Sequence, residues 1–375
     1  MCLRPRAQAL QRLGARRTSS PTLKRAATSP ALQTAAKASP TFFYNDVYEF
    51  PMPPGHRFPM QKYRLVRLDL AEQFGDATLL KVSPLASERD LLTTHCPDYV
   101  SRFLAGALSP MENRRIGFPW SPAGVARALS STGGTIAAAV QIGEALRNAK
   151  DDCVVSGHVA GGTHHAFFDR GEGFCVFSDI AVAANVLKRD YGDVVRKILV
   201  LDLDVHQGNG NAKLFQNDAS IYTFSMHCAA NFFSEKELSD CDVEVPAGAG
   251  DEEYLRLLKS YLPMLTAWKP DVVFFQAGVD VSEHDRLGKL QVTREGLRKR
   301  NALVFQTFLR CNASIVVTMG GGYPKDLDED SDAFRGIVGA HADVYLQAVD
   351  ALQKHRESRR ALEPETPQAL EPETR

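Results

Sequence analysis

KILVLDLDVHQGNG, residues Lys197–Gly210, carries the fold and the chemistry of this chain in one segment. Its first half, Ile198–Leu201, is an unbroken branched apolar run, as suits a strand of a parallel sheet covered on both faces. Three further segments read the same way: Ser220–Ser225 (SIYTFS), Asp271–Ala277 (DVVFFQA) and Ser314–Met319 (SIVVTM). Helical stretches alternate with them, at Ser131–Asn148, Phe177–Tyr191, Asp251–Trp268, Thr293–Arg310 and Asp332–Gln353. The alternation predicts an α/β fold, a three-layer α/β/α sandwich around a mostly parallel central sheet. In such sheets ligands bind beyond the carboxyl ends of the strands. The polar segments of this chain fall at those ends: Asp204 and His206 close one strand, Asp280 follows another, and Gly320–Tyr323 follows a third.

Asp202, Asp204 and His206 alternate, so an extended backbone points all three to one side. Asp204 and His206 can then approach one metal, with Asp202 behind them. A catalytic zinc keeps three protein ligands and an open position for water. The third ligand must come from elsewhere, and Asp280 in QAGVD is the best placed. His164 and His165 follow Gly161-Gly162 in AGGTHHAF, where glycines permit unusual dihedrals that present adjacent imidazoles to a cleft. Asp202 can accept a hydrogen bond from one of them and fix its tautomer. Tyr323, after three glycines, can bring a phenol to an oxyanion. Two carboxylates, an imidazole, a proton-moving histidine pair and a hydroxyl donor make a set sufficient for metal-assisted amide hydrolysis. Cys175 and Cys228, in apolar surroundings, read as buried thiols and not as ligands.

The chain has 375 residues, 44% of them hydrophobic and 24% charged, a globular composition. No apolar run reaches the length of a membrane-spanning helix. The seven cysteines are scattered without paired spacing, which argues for reduced thiols over a disulfide framework or a cysteine zinc site. A net charge of −1 conceals an asymmetry. Eight basic residues precede the first acid, Asp46, so the remainder is acidic, which argues against broad nucleic-acid binding by the folded domain. Residues 1–40, rich in Arg, Ala, Ser and Thr, have the composition of a mitochondrial leader. A plastid leader, or an uncleaved basic tail on a cytoplasmic or nuclear protein, remains open. At the other end ALEPET occurs at Ala361–Thr366 and again at Ala369–Thr374, so residues 358–375 are expected to form a disordered acidic tail. The globular unit is expected to span 41–357.

Taken together, GHRFPMQKYRLV (Gly55–Val66), RRIGFPWSP (Arg114–Pro122), AGGTHHAF, RGEGFCVFSDI (Arg170–Ile180), VLDLDVHQGNG, DRLG (Asp285–Gly288) and MGGGY resemble the histone deacetylase family of zinc amidohydrolases, within the arginase/deacetylase fold. The likeness runs through most of residues 45–350 and is nearest to the class IV and bacterial-like branch. The resemblance implies one zinc on Asp204, His206 and Asp280, a dyad of His164 and His165, and a bond from His164 to Asp202. It implies that Tyr323 polarises the acyl carbonyl and that Gly173, Phe174 and Phe233 (or the adjacent Phe232) wall the acyl-lysine tunnel. It also implies a potassium ion beside the zinc, held through Asp202, Asp204, His206, Ser225 and Met226. Two departures stand out. The class I pattern has Asp at the position of Asn209, so His165 is expected to have a lower pKa here. The class I loop also carries an Asp that grips the substrate backbone, where this chain reads Gly117-Phe118-Pro119-Trp120. The expected substrate is an N-acyl-lysine of a protein. The alternatives are a small acylated amine such as a polyamine, with Glu112 or Glu172 meeting its second amine, a two-metal hydrolase of the arginase type, and a non-catalytic acyl-lysine-binding scaffold.

Overall fold

In the computed structural model, residues 39–53, 55–148, 153–232 and 236–362 are described. Eight strands are found among them: β1 (Thr41–Tyr44), β2 (Leu80–Val82), β3 (Val155–His158), β4 (Ile198–Asp202), β5 (Ile221–Cys228), β6 (Cys241–Val245), β7 (Val272–Gln276) and β8 (Ser314–Thr318). They form one sheet in the order β2-β1-β3-β8-β7-β4-β5-β6. Every pairing is parallel, so the expectation of a mostly parallel sheet is met in full. The helices are α1 (Lys62–Phe74), α2 (Glu88–Leu91), α3 (Pro97–Leu104), α4 (Pro110–Ile116), α5 (Pro122–Asn148), α6 (Asp179–Tyr191), α7 (Asn209–Phe215), α8 (Asp251–Ala267), α9 (Arg294–Arg310) and α10 (Asp332–Leu362).

The strand residues alternate between two apolar layers, as a period of two requires. Leu199, Leu201, Val273, Phe275, Ile315 and Val317 enter the layer built with α1, α8, α9 and α10. Ile198, Val200, Val272, Phe274 and Val316 enter the opposite layer, with α5 and α6. Both faces are therefore covered, which is why these strands read as continuous apolar runs instead of alternating ones.

The register sets the site. His158 pairs with Thr318, Thr318 with Gln276, Gln276 with Asp202, and Asp202 with Ser225. The last residues of β3, β8, β7 and β4 thus stand in one row, level with Ser225 of β5. The four loops leaving β3, β8, β7 and β4 start side by side.

Several expected boundaries shift. Helix α5 begins at Pro122, nine residues before the expected Ser131, because Pro suits a helix start and the sequence Ala123–Ser130 holds no breaker strong enough to stop it. Helix α10 reaches Leu362, so Ser358–Leu362 are helical and not part of a disordered tail. The expected leader, apart from Ser39 and Pro40, and the tail from residue 363 lie outside the described residues. No described helix is long and apolar enough to cross a membrane.

Helices α5 and α6 pack closely, and a Cβ at Gly143 would lie 2.5 Å from Cγ of Tyr191. Gly143→Val is therefore expected to cost about 1–3 kcal/mol through overpacking. Urea unfolding checks this, and an unchanged midpoint would contradict so close a crossing.

Candidate active site and metal centre

Strand β4 ends at Asp202, and the chain then bends, so Asp204 and His206 are not on an extended strand as the period-two reading had it. They are brought together by the turn instead. Nδ1 of His206 lies 3.2 Å from Oδ1 of Asp204 and 3.2 Å from Oδ2 of Asp280. One ligand atom from each of the three lies within 4.8 Å of the others. Two carboxylates and an imidazole at this spacing, with both acids buried, fit a metal ion.

Groups to which the sequence reading gave no role hold these side chains. The Gln276 side-chain amide donates to Oδ2 of Asp204 at 2.9 Å, and the Gly321 amide donates to the same oxygen at 2.8 Å. The Val205 amide donates to Oδ1 of Asp280 at 2.9 Å. Nδ2 of Asn231 lies 3.3 Å from the far nitrogen of His206. Gly321 must be glycine, since a Cβ there would come 2.0 Å from Oδ2 of Asp280.

The electrostatics follow from this crowding. Burial and the charge of Asp204 push the Asp280 carboxyl up to about 8. Burial opposes charge on His206, but its bonds to Asp204 and Asp280 raise it to about 10. Crowded carboxylates raise the proton affinity of their neighbours, and a cation placed among them relieves the same repulsion.

His164 and His165 are both buried, with ring centroids 4.0 Å apart. The turn that presents them uses positive φ at Gly161 (73°) and Gly162 (77°). Asp179, in the first turn of α6, fixes that turn by accepting from the amides of Gly162 and Thr163 at 2.9 and 2.7 Å. Nδ1–H of His164 donates to Oδ2 of Asp202 at 2.7 Å. Nδ1–H of His165 donates to Oδ1 of Asn209, also at 2.7 Å. The Gly210 amide donates to the same Oδ1 at 3.0 Å, which fixes the orientation of Asn209.

One carboxylate and one amide behind two adjacent imidazoles separate their proton affinities. Burial opposes charge on His164, yet Asp202 and Asp204 raise it to about 9. Burial and the positive charges of His164 and His206 push His165 well below the usual imidazole value. The environment thus favours the charged form of His164 and the neutral form of His165. Burial holds the Tyr323 phenol well above its ordinary value, so it is a hydrogen-bond donor.

Above this floor lies a cavity of about 730 Å³ whose lining includes His164, His165, Asp204, His206 and Tyr323. Its wall is aromatic. Phe58 packs on Phe118 at 4.9 Å and on Phe174 at 5.2 Å, and Phe174 lies 5.9 Å from Tyr323. Gly173 and Phe174 are held by the end of α4, their amides donating to the carbonyls of Arg115 and Ile116. The ring of Phe174 covers Gly117, where a Cβ would meet it at 2.9 Å. Phe232 lines the cavity and is 66% exposed, whereas Phe233 lies outside the described residues. Ser225 and Met226 stand on β5 beside Asp202. Cys175 and Cys228 are buried free thiols.

Residues 56–334 match the model of the histone deacetylase domain. The chain belongs to the histone deacetylase family. An uncharacterized protein of Picosynechococcus sp. is 42% identical over 304 residues, 80% of this chain and 98% of that one. The histone deacetylase-like amidohydrolase of Pseudomonas aeruginosa is 30% identical, over 73% of this chain and 74% of its own. Histone deacetylase 2 of Arabidopsis thaliana is 27% identical, over 72% and 70%. Among solved structures, an HDAC homologue complexed with SAHA superposes with a TM-score of 0.68 at 21% identity, covering 86% of this chain and 89% of that one. The deacetylase fold is therefore shared, and a hydrolase of the deacetylase class is the activity that the family membership carries.

Because a metal must displace protons from Asp280 (about 8) and His206 (about 10), its affinity should rise with pH. Between pH 6 and pH 7.5 the apparent Kd is expected to fall roughly tenfold or more per unit, with protons released on binding. Calorimetry in buffers of different ionisation enthalpy measures both quantities. A pH-independent Kd without proton release would refute this picture of the site.

Proposed function

We propose that this protein is a zinc-dependent lysine deacylase that hydrolyses the amide of an N-acyl-lysine side chain in proteins. The observation that carries the reading is the division of labour between two touching imidazoles, His164 on a carboxylate and His165 on an amide, beside a three-ligand metal site at the floor of an aromatic cavity. Environments that drive two pKa values apart give two neighbouring groups different roles, here a neutral proton carrier in His165 and a charged neighbour in His164.

Asp204, His206 and Asp280 would hold the zinc, which supplies Lewis acidity at the acyl oxygen and makes water acidic enough to attack near neutral pH. The residues of the chain do the rest. Neutral His165, its Nδ1–H committed to Asn209, takes the proton of the attacking water on Nε2. Tyr323 donates its hydroxyl hydrogen bond to the oxyanion as the tetrahedral centre forms. His164 stays charged through Asp202 and favours the same negative charge. His165 then passes its proton to the leaving lysine amine, releasing a free amine and a carboxylate. Gly173, Phe174 and Phe233 are assigned to the tunnel that holds the acyl-lysine chain and excludes water. To Asp202, Asp204, His206, Ser225 and Met226 we assign a structural potassium ion. The reading of residues 1–40 as a mitochondrial leader belongs to this proposal too.

The structure weighs against a polyamine substrate. Glu112 pairs with Arg102 at 2.7 Å and accepts from the Ser109 amide in the capping box of α4. Glu172 lines the cavity but lies 3.6 Å from Arg170, and Arg57, Arg114 and Arg115 share the same lining. A second cationic amine finds no free carboxylate among these. Among the described residues one three-ligand cluster forms, which favours a one-metal site over the two-metal arrangement.

Amine release from peptides carrying acetyl- through myristoyl-lysine tests the proposal, using protein without residues 1–40. Chelator-sensitive turnover is expected, and His165→Ala and Tyr323→Phe should each lower kcat by about 100-fold or more while the far-ultraviolet spectrum is kept. Wild-type rates in both variants would sink the mechanism. The pH profile gives a second check. A neutral His165 with a low pKa places the acidic limb of kcat/KM well below about 6.5, and loss of the His164 proton lowers activity toward about 9. Asn209→Asp puts a carboxylate on His165 and should move the acidic limb upward by about one unit or more. A limb that stays in place would show that Asn209 does not set the basicity of His165.

A further inference from the structure

Lys62 is the first residue of α1, and only 1% of it is exposed. Burial lowers its ammonium to about 8, against the attraction of Asp280, Asp285 and Asp204. Taking an ammonium out of water is costly and must be offset by interactions made in the interior. An apolar side chain of similar length would fill the same space. The question is what this group does there.

Its Nζ donates to the carbonyl of Gly322 at 2.9 Å. Among the described residues no other acceptor takes a hydrogen bond from it. Nζ also lies 5.2 Å from the centroid of the Tyr323 ring. On the other side, the amide N–H of Tyr323 donates to Oδ2 of Asp285, whose Oδ1 accepts from the amides of Leu287 and Gly288 at 2.7 Å each. The Gly322 carbonyl and the Tyr323 amide are two ends of a single peptide group. An ammonium thus holds its oxygen and a carboxylate holds its nitrogen. Both are charge-assisted bonds, and a planar peptide gripped at opposite edges has little rotational freedom left. Packing closes the third side, because a Cβ at Gly322 would come 2.5 Å from Nε2 of buried His341.

We infer that Lys62 and Asp285 are positioning residues that clamp the Gly322–Tyr323 peptide and thereby aim the Tyr323 hydroxyl. The inference rests on the proposed role of Tyr323 at the oxyanion. The clamp is needed because the tyrosine follows three glycines, the most permissive backbone in the chain. A phenol on such a loop would sample several directions, and an error of about 1 Å at a reacting group costs on the order of 100-fold in rate. Lys62 adds a second effect through space: a cation near the ring draws electron density from the phenol and strengthens its O–H as a donor.

Two measurements on the full-length protein test this. The first uses 3-fluorotyrosine placed at position 323 and observed by fluorine NMR in metal-free protein. One narrow resonance is expected in the parent, and a broadened or split one in Lys62→Met and in Asp285→Asn. An identical narrow resonance in all three would overturn the clamp. The second is a double-mutant cycle. Lys62→Met should lower kcat about 30-fold or more with KM changed less than about threefold, but by less than about threefold when Tyr323→Phe is already present. Equal losses in both backgrounds would mean that Lys62 acts elsewhere, and would overturn the inference. Asp285→Asn, acting on the other end of the same peptide, supplies the comparison if Lys62→Met does not fold. Should Tyr323→Phe turn over at the parent rate while the resonance still splits, the clamp stands and the oxyanion role of Tyr323 falls.

Discussion

Four carboxylates are buried at one end of the sheet, Asp202 on the last residue of β4 and Asp204, Asp280 and Asp285 in the loops beyond. Their mutual repulsion is the constraint to which the surrounding structure answers. Cations are drawn in from every direction: His164 and His206 from the loops, Lys62 from the start of α1, and Arg300 from α9. Arg300 is fully buried and donates to the carbonyls of Gly278 and Ala277, next to Asp280 in the chain. Backbone amides supply the remaining compensation, at Val205, Gly321, Tyr323, Leu287 and Gly288. A low-dielectric interior makes each of these interactions strong and each omission costly. Gly321 follows from the same demand, because a Cβ there would come 2.0 Å from Oδ2 of Asp280.

How much of this could be read from the residues depends on whether the signal is local. Strands β4, β5, β7 and β8 announce themselves because they sit centrally with both faces covered, so their apolar runs are unbroken. Strands β1, β2, β3 and β6 were missed. β2 is a three-residue edge strand with exposed positions, β6 carries alternating polar residues, and β3 reads VSGH, with a serine and a histidine whose partners lie elsewhere in the chain. The candidate triad of Asp204, His206 and Asp280 was legible through its motifs and the rule that strand ends carry ligands. The convergence of Asp204 with Asp280 came out as expected, although the backbone between Asp202 and His206 turns where an extended run was foreseen. Lys62, Gln276, Asp285 and Asn231 were not assigned roles, because a lone lysine or glutamine has no spacing that marks it. Their meaning comes from partners 38 to 260 positions away: Lys62 with Gly322, Gln276 with Asp204, Asp285 with Tyr323 and Asn231 with Leu287. Glu112 shows the converse. It was a candidate for substrate contact, but its spacing from Ser109 is that of a helix cap.

The dyad shows how one atom in a neighbour changes an imidazole. Asp202 and Asn209 offer oxygens at the same 2.7 Å to two rings 4.0 Å apart. Only Asp202 brings a charge. With carboxylates behind both rings, both would favour the protonated form. The amide breaks that symmetry without disturbing the hydrogen-bond geometry, and its own orientation is fixed by the Gly210 amide.

The floor and the mouth of the cavity are built from different parts of the chain. The floor stands on strand ends locked in register. The mouth is assembled from three loops joined through His56 Nε2–H to the Gly117 carbonyl, and through Phe174 to the Ile116 carbonyl, with aromatic rings filling the space between. None of these contacts reaches a metal ligand. Natural variation can therefore reshape the entrance, ring by ring, while the hydrolytic machinery beneath is inherited unchanged. Diversification of what is admitted and preservation of how it is cleaved become separate evolutionary problems.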